Sequence, residues 1–212
     1  MPYKVVAWDW NGTLMDDRWL CIEVMNELLS KYKKPELATE RYLQIFDFPV
    51  EKYYRKLGFD FENEHSFTDI GTEFFTIYLQ RWQECGLHEN AGQVLEYLQK
   101  QGYKQIILSN APCDLLDNYV NYFNVYQFFD EIIGLDHHLA TGKKDLALQW
   151  LQDSDVDPQS VLLIGDTDHD FQVAQALKVD TLLVTMGHNS HERLVNCTSN
   201  IVDDLAAVLQ RI

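Results

Sequence analysis

Residues 3–14 read YKVVAWDWNGTL. The run YKVVAW is apolar and rich in β-branched and aromatic side chains, and it stops at a carboxylate, Asp9, ahead of the turn-forming pair Asn11-Gly12. A continuous apolar run closed by polar residues is the pattern of a strand covered on both faces of a parallel sheet. Residues 105–109 (QIILS), 160–165 (SVLLIG) and 181–185 (TLLVT) repeat it, and residues 131–134 (EIIG) give a shorter version. Between these runs lie helical patterns. Residues 92–101 place Val94, Leu95 and Leu98 on one face and meet Gly102 as a stop signal. Residues 115–123, 145–152 and 171–177 are similar. Strand–helix alternation from residue 92 onward implies right-handed crossovers. The expected fold is α/β, a doubly wound, mostly parallel, Rossmann-like sheet.

Residues 15–90 follow another rule. Trp19, Ile22, Met25, Leu28 and Leu29, then Phe74, Phe75, Tyr78, Leu79 and Trp82, recur at helical spacing with no clear buried strand. The stretch is too long for a connecting loop. It is expected to be a helical domain inserted after the first strand, leaving residues 1–14 and 91–212 as the α/β core. Turn signals at Lys34-Pro35, Phe48-Pro49 and Leu57-Gly58 would separate its helices. Its many aromatics are expected to form its core, some of them roofing a substrate. Asp16 and Asp17 are expected at the start of its first helix, where negative charge suits the helix N-terminus.

Composition excludes several function classes. Lys plus Arg is 17, Asp plus Glu is 33, and the net charge is −16. Such a surface repels nucleic-acid phosphates and anionic lipids, so neither is an expected partner. A small anionic substrate remains compatible if a local cation meets it. The first apolar run is short and Asp9 interrupts it, unlike a signal peptide. No apolar stretch approaches the roughly 20 residues that span a bilayer. The expectation is a cytoplasmic protein, monomer or homodimer. Cys21, Cys85, Cys113 and Cys197 form no CxxC pair and are expected to be buried free thiols.

Ligands of open α/β sheets bind beyond the carboxyl ends of the strands. The sequence puts Asp9-Trp10-Asn11-Gly12-Thr13, Ser109-Asn110 and Asp166-Thr167-Asp168-His169-Asp170 at such ends, and Thr141-Gly142-Lys143-Lys144 before the helix that leads into SVLLIG. Any one of these segments alone reads as an ordinary loop; Asp166 and Thr167 could simply cap the next helix. Four at one edge point to a site. Carboxylates gathered there raise one another's pKa, and a hard divalent cation relieves that cost. An all-oxygen set favours Mg²⁺ over Zn²⁺. His137-His138 and the pair His188 and His191 lack a tetrahedral complement and are read as solvated loop histidines. His169 stands apart because it lies inside the last motif, where a rim position near the substrate is the alternative to an ordinary loop histidine.

The segments DWNGTL (9–14), LSN (108–110), Lys143/Lys144 and IGDTDHD (164–170) together resemble the haloacid dehalogenase superfamily of Mg²⁺-dependent phosphohydrolases, in the subgroup with a helical cap after the first strand. The overall arrangement is similar to phosphoglycolate-phosphatase-like members. The resemblance implies a phosphohydrolase acting on a small phosphorylated metabolite through an aspartyl-phosphate on Asp9. Ser109 and Asn110 would hold phosphoryl oxygens. Lys143 would neutralise Asp9 and the phosphate, with Lys144 as the alternative and Gly142 favouring Lys143 by allowing close backbone approach. Asp9, Asp166 and the Asn11 carbonyl would bind Mg²⁺, and Asp170 would bind through water or hold the lysine. Asp168 lies off that spacing and is read as surface. Carbon–halogen chemistry is less expected, because the metal motif around Asp166 is not needed for it. One departure stands out. The family's phosphatases usually carry a second aspartate two residues after the nucleophile as general acid and base, and here that position is Asn11. The alternative implied is a low-activity or non-catalytic phosphate- and metal-binding protein of the same fold.

Overall fold

The computed structural model describes residues 3–63, 65–135 and 142–212; His137, His138 and Thr141 lie outside the described residues. The strands are β1 (Val5–Trp8), β2 (Met15–Asp16), β3 (Gly86–Leu87), β4 (Lys104–Pro112), β5 (Glu131–Leu135), β6 (Val161–Gly165), β7 (Asp180–Val184) and β8 (Ile201–Val202). The helices are α1 (Arg18–Lys31), α2 (Thr39–Ile45), α3 (Val50–Lys56), α4 (Phe67–Arg81), α5 (Ala91–Lys100), α6 (Cys113–Tyr122), α7 (Lys143–Asp153), α8 (Asp168–Leu177) and α9 (His191–Val195).

Six strands form one parallel sheet in the order β5-β4-β1-β6-β7-β8. The chain winds outward from β1 through β4 to β5, then crosses to the other side through β6, β7 and β8. The order reverses beside β1, and a crevice opens at such a reversal. Trp8 is level with Ile107 of β4 and Ile164 of β6. Register alone therefore brings Asp9, Ser109 and Asp166 close together at the carboxyl edge of β1 and β6.

Successive β1 residues face opposite sides, as strand geometry requires. Val6 and Trp8 enter a core with α5 and α6 residues such as Leu95 and Leu116. Val5 and Ala7 enter another with Ala147 and Trp150 of α7 and Val173 of α8. Both faces are dry, which is why the strand reads as unbroken apolar sequence. The buried polar Gln105 is satisfied: it accepts from the Trp8 indole (3.1 Å) and donates to the Leu95 carbonyl (2.9 Å).

Helices α1 to α4 lie between β2 and β3, and their breaks fall at the turn signals: α1 ends before Lys34-Pro35, Phe48-Pro49 separates α2 from α3, and Leu57-Gly58 follows α3. Met25, Leu28, Tyr42, Tyr53, Tyr54 and Ile70 form a core of their own. Leu20 and Val24 of α1, with Tyr78 and Trp82, pack instead into the sheet's core. Periodicity did not reveal β2 and β3, an antiparallel ribbon where the chain leaves for the insert and returns, nor the edge strand β8. Each has two residues, too few for a period to register. Strand β4 runs on to Pro112 with its pairing to β5 shifted after Leu108, so Ser109 and Asn110 sit on an irregular strand rather than beyond its end. All four cysteines are free thiols as expected, but only Cys85 is buried. Among the described residues no helix is long and apolar enough to cross a membrane.

Candidate active site

Lys143, the first residue of α7, is fully buried, and its Nζ lies 2.6 Å from Asp9 Oδ1 and 2.5 Å from Asp170 Oδ1. Its backbone N–H donates to Asn110 Oδ1 at 3.0 Å, which fixes the start of the helix. Lys144, one residue on, is exposed, so of the two lysines Lys143 is the one beside Asp9. Gly142 contributes differently from the expectation. Among the described residues nothing comes within 4 Å of where its Cβ would stand, but its φ is +98°. That backbone conformation favours glycine.

Asp170 spends both oxygens on holding the site. Oδ1 takes the lysine, while Oδ2 accepts from the backbone N–H of Asp166 (3.2 Å) and Thr167 (3.0 Å) and from Thr167 Oγ1 (2.6 Å). Thr167 answers with a bond to the Asp170 N–H, closing a capping box at α8. The capping reading of this segment and the functional one are thus both present. Asp166 is fully buried and accepts from Thr13 Oγ1 at 2.7 Å and from the His188 N–H at 2.6 Å. The loop after β7 comes so close that a Cβ on Gly187 would stand 2.1 Å from Asp166 Oδ2.

Carboxylate oxygens of Asp9, Asp166 and Asp170 lie within 4.8 Å of one another, all buried. Burial pushes Asp9 well above the usual carboxylate range; Lys143 opposes this, and Asp170 and Asp166 add to it. Burial also raises Asp166, against the pull of His188. Asp170 goes the other way, because Lys143 outweighs its burial and holds it below the usual range. The set is short of positive charge and consists of oxygen donors. Asp9 Oδ2 has no hydrogen-bond donor among the described residues. These features suit a hard divalent cation.

Among the described residues the Asn11 side chain is hydrogen-bonded to neither Asp9 nor Asp166. Its Nδ2 donates to Asp17 Oδ2 (2.7 Å) and to the Tyr78 hydroxyl (3.0 Å). Asp17, expected merely to start α1, occupies the N-cap position without a capping bond. It is 1% exposed and turns back into the loop, where it accepts from the Gly12 N–H (2.9 Å) and the Tyr78 hydroxyl (2.8 Å). His188 corrects the solvated-loop reading. It is 4% exposed, with Nε2 3.3 Å from Asp17 and Nδ1 2.8 Å from the Tyr42 hydroxyl. Asp17, His188, Tyr42 and Tyr78 come from separate segments, so no local spacing could have announced them. His191 is exposed, as expected. Asp168, read as surface, is half-buried and paired with Arg193. His169 is half-buried against Phe48, ring centroids 5.0 Å apart, and does not line the cavity described below.

Burial alone would lower the His188 pKa, but Asp17, with Asp166 and Asp9, outweighs it and pushes the group up to about 9. A group raised on folding stabilises fully below its unfolded value and loses that contribution as pH climbs through the folded value. In metal-free buffer, stability should fall between about pH 6.5 and about 9, by up to about 3 kcal/mol. Thermal melts across that window should show the decline in wild type and not in His188→Gln. Parallel curves would mean that His188 is neutral throughout.

A cavity of about 210 Å³ opens over Asp9, Ser109 and Asn110 and is roofed from the insert by residues including Tyr42, Phe46, Phe48 and Phe74. Ser109 is 2% exposed, and its Oγ accepts from the Ala111 N–H at 3.1 Å.

Comparison with known proteins gives the family and the fold of the chain. The family model described as haloacid dehalogenase-like hydrolase matches residues 6–184. A phosphoglycolate phosphatase from Pseudomonas putida is 31% identical over 219 aligned positions, covering 97% of this chain and 78% of that protein. Another, from Aliivibrio fischeri, is 28% identical over 119 positions, covering 56% of this chain and 52% of that protein. A haloacid dehalogenase-like family hydrolase from Streptococcus pneumoniae has the same fold, with a TM-score of 0.83 at 20% identity over 99% of this chain and 98% of that one.

Proposed function

The chain belongs to the haloacid dehalogenase-like hydrolase family, and on that premise we propose that it is a Mg²⁺-dependent phosphatase of small phosphomonoesters working through an aspartyl-phosphate on Asp9. The observation that carries this reading is the buried Lys143 ammonium 2.6 Å from Asp9 Oδ1, where Asp9 lines a cavity of about 210 Å³. An oxygen of Asp9 attacks phosphorus and the bond to the leaving oxygen breaks. Water then attacks the same phosphorus, releasing inorganic phosphate and restoring the carboxylate. Lys143 offsets the charge gathering between Asp9 and the phosphoryl group. Asp170 positions that lysine. Ser109 and Asn110 hold phosphoryl oxygens. Asp9, Asp166 and the Asn11 carbonyl would hold Mg²⁺, which when bound supplies positive charge to carboxylates and phosphoryl oxygens alike. Residues 15–90 act as the cap over a core of residues 1–14 and 91–212 and keep water from the site.

A panel of small phosphate esters, assayed with Mg²⁺ and with EDTA, tests the reading. Turnover should vanish with EDTA and return with added Mg²⁺. Turnover indifferent to EDTA contradicts it.

The amide at position 11 has no proton to give near neutral pH, so hydrolysis should depend steeply on leaving-group acidity. Asn11→Asp places a carboxyl where Nδ2 now meets Asp17 at 2.7 Å. Two carboxyls that close hold one proton between them, which provides an acid. Alkyl-ester turnover should rise most, by about 10²-fold, and the dependence on leaving group should flatten. An equal loss on aryl and alkyl esters would show that the asparagine itself is required.

A further inference from the structure

Resting on the phosphatase reading, we infer that the ester taken by this site has an apolar, aromatic leaving group that carries no second charge. Two separate observations lead there: the wall of the cavity and the residue at position 11.

The wall beyond Asp9 is made mainly of rings. Phe46, Phe48, Phe74 and Phe75 come from the insert, and Leu115 comes from α6. A dry apolar cavity of about 150 Å³ is large enough to take benzene, and this one measures about 210 Å³. Among the described residues no lysine or arginine lines it, whereas the carboxylates Asp9, Asp17 and Asp170 do. His188 also lines it, and its Nε2 is already paired with Asp17 at 3.3 Å. Lys143 lies beneath, bonded to Asp9 and Asp170. A carboxylate on the leaving group would lose its water, meet no counter-charge and face like charges. Tyr53 also lines this space, and its ring adds to the apolar wall.

Position 11 favours the same class on chemical grounds. Asn11 cannot protonate a departing alkoxide, so the bond to phosphorus breaks readily only where the leaving oxygen is stable as an anion. An aryl oxide is, and an aryl ring is what the wall fits.

The test uses the full chain with Mg²⁺. Values of kcat/KM are measured for phenyl phosphate, 1-naphthyl phosphate, cyclohexylmethyl phosphate and phosphoglycolate, whose leaving group bears a carboxylate. Inhibition or calorimetry with the unreactive benzylphosphonate and phosphonoacetate reads binding without chemistry. Both aryl esters should exceed phosphoglycolate by about 10²-fold or more. Cyclohexylmethyl phosphate should fall between, apolar enough to bind but a poor leaving group. Benzylphosphonate should bind more tightly than phosphonoacetate, and Phe48→Arg should narrow or reverse that order. Phosphoglycolate turned over as well as the aryl esters, or phosphonoacetate bound as tightly as benzylphosphonate, overturns the inference and leaves the phosphatase reading intact. No turnover of any ester, with benzylphosphonate still preferred, rejects hydrolysis and upholds the apolar site. Failure to bind either phosphonate rejects both.

Discussion

Asp9→Asn should reduce turnover to background, a loss of about 10⁴-fold or more, while the sheet stays folded. The amide has the shape of the carboxylate, so Trp8 and Trp10, both fully buried on either side of it, need not move. What disappears is the charge that attacks phosphorus. The fold should not suffer, because Asp9 is costly as an anion: burial and the neighbouring Asp170 and Asp166 disfavour its charged form. Lys143 keeps Asp170 as a partner at 2.5 Å. Assays with p-nitrophenyl phosphate beside thermal melts check both halves. Residual activity within tenfold of wild type would place the nucleophile elsewhere.

Lys143→Met should be the more damaging change to the fold. The ammonium is wholly buried between two carboxylates, and removing one partner of a buried ion pair costs about 3–5 kcal/mol because the remaining charge is left uncompensated. The sign of its pH dependence is informative. In wild type Asp170 is held below the usual carboxylate range by the lysine, so its contribution is present above its unfolded pKa and is lost as the solution becomes acidic. Without the lysine, Asp9 and Asp170 bind protons in the folded state more readily than in the unfolded chain. The variant should therefore gain more stability than wild type as pH falls from about 7 to about 5. Denaturant titrations at both pH values decide it. Lys144→Met, at an exposed position, should shift stability by no more than about 0.5 kcal/mol.

How much of this could be read from the chain depended on how local each signal is. Strands β1, β4, β6 and β7 were legible because a doubly covered strand must be apolar throughout. Their terminal residues followed, since a parallel sheet brings its carboxyl ends to one edge. Asp9, Ser109, Asn110, Lys143, Asp166 and Asp170 do meet there. The two-residue strands escaped because nothing so short has a period. The environment of Asn11 escaped for a different reason. Asp17 looked like a helix-start acid, and its true neighbours, Tyr78 and His188, are brought to it by α4 and by the loop after β7. Sequence could show that the usual acid is missing. It could not show that the asparagine is instead tied to a buried aspartate. Nor could aromatic content alone tell core from roof: Tyr54 packs among the insert's own rings, whereas Phe48 reaches over toward His169. Both residues also line the cavity.

The central claim is that a phosphoryl group passes through Asp9. With no acid at position 11 to hasten the second step, the covalent intermediate should accumulate. Wild-type protein mixed with Mg²⁺ and p-nitrophenyl phosphate, quenched in acid at successive times and mapped by peptide mass, measures this directly. The expected result is a phosphoryl group on the peptide containing Asp9, present during turnover, gone once substrate is exhausted, and absent from Asp9→Asn. A phosphoryl group on another peptide, or steady turnover with no covalent label at any time, would contradict the account.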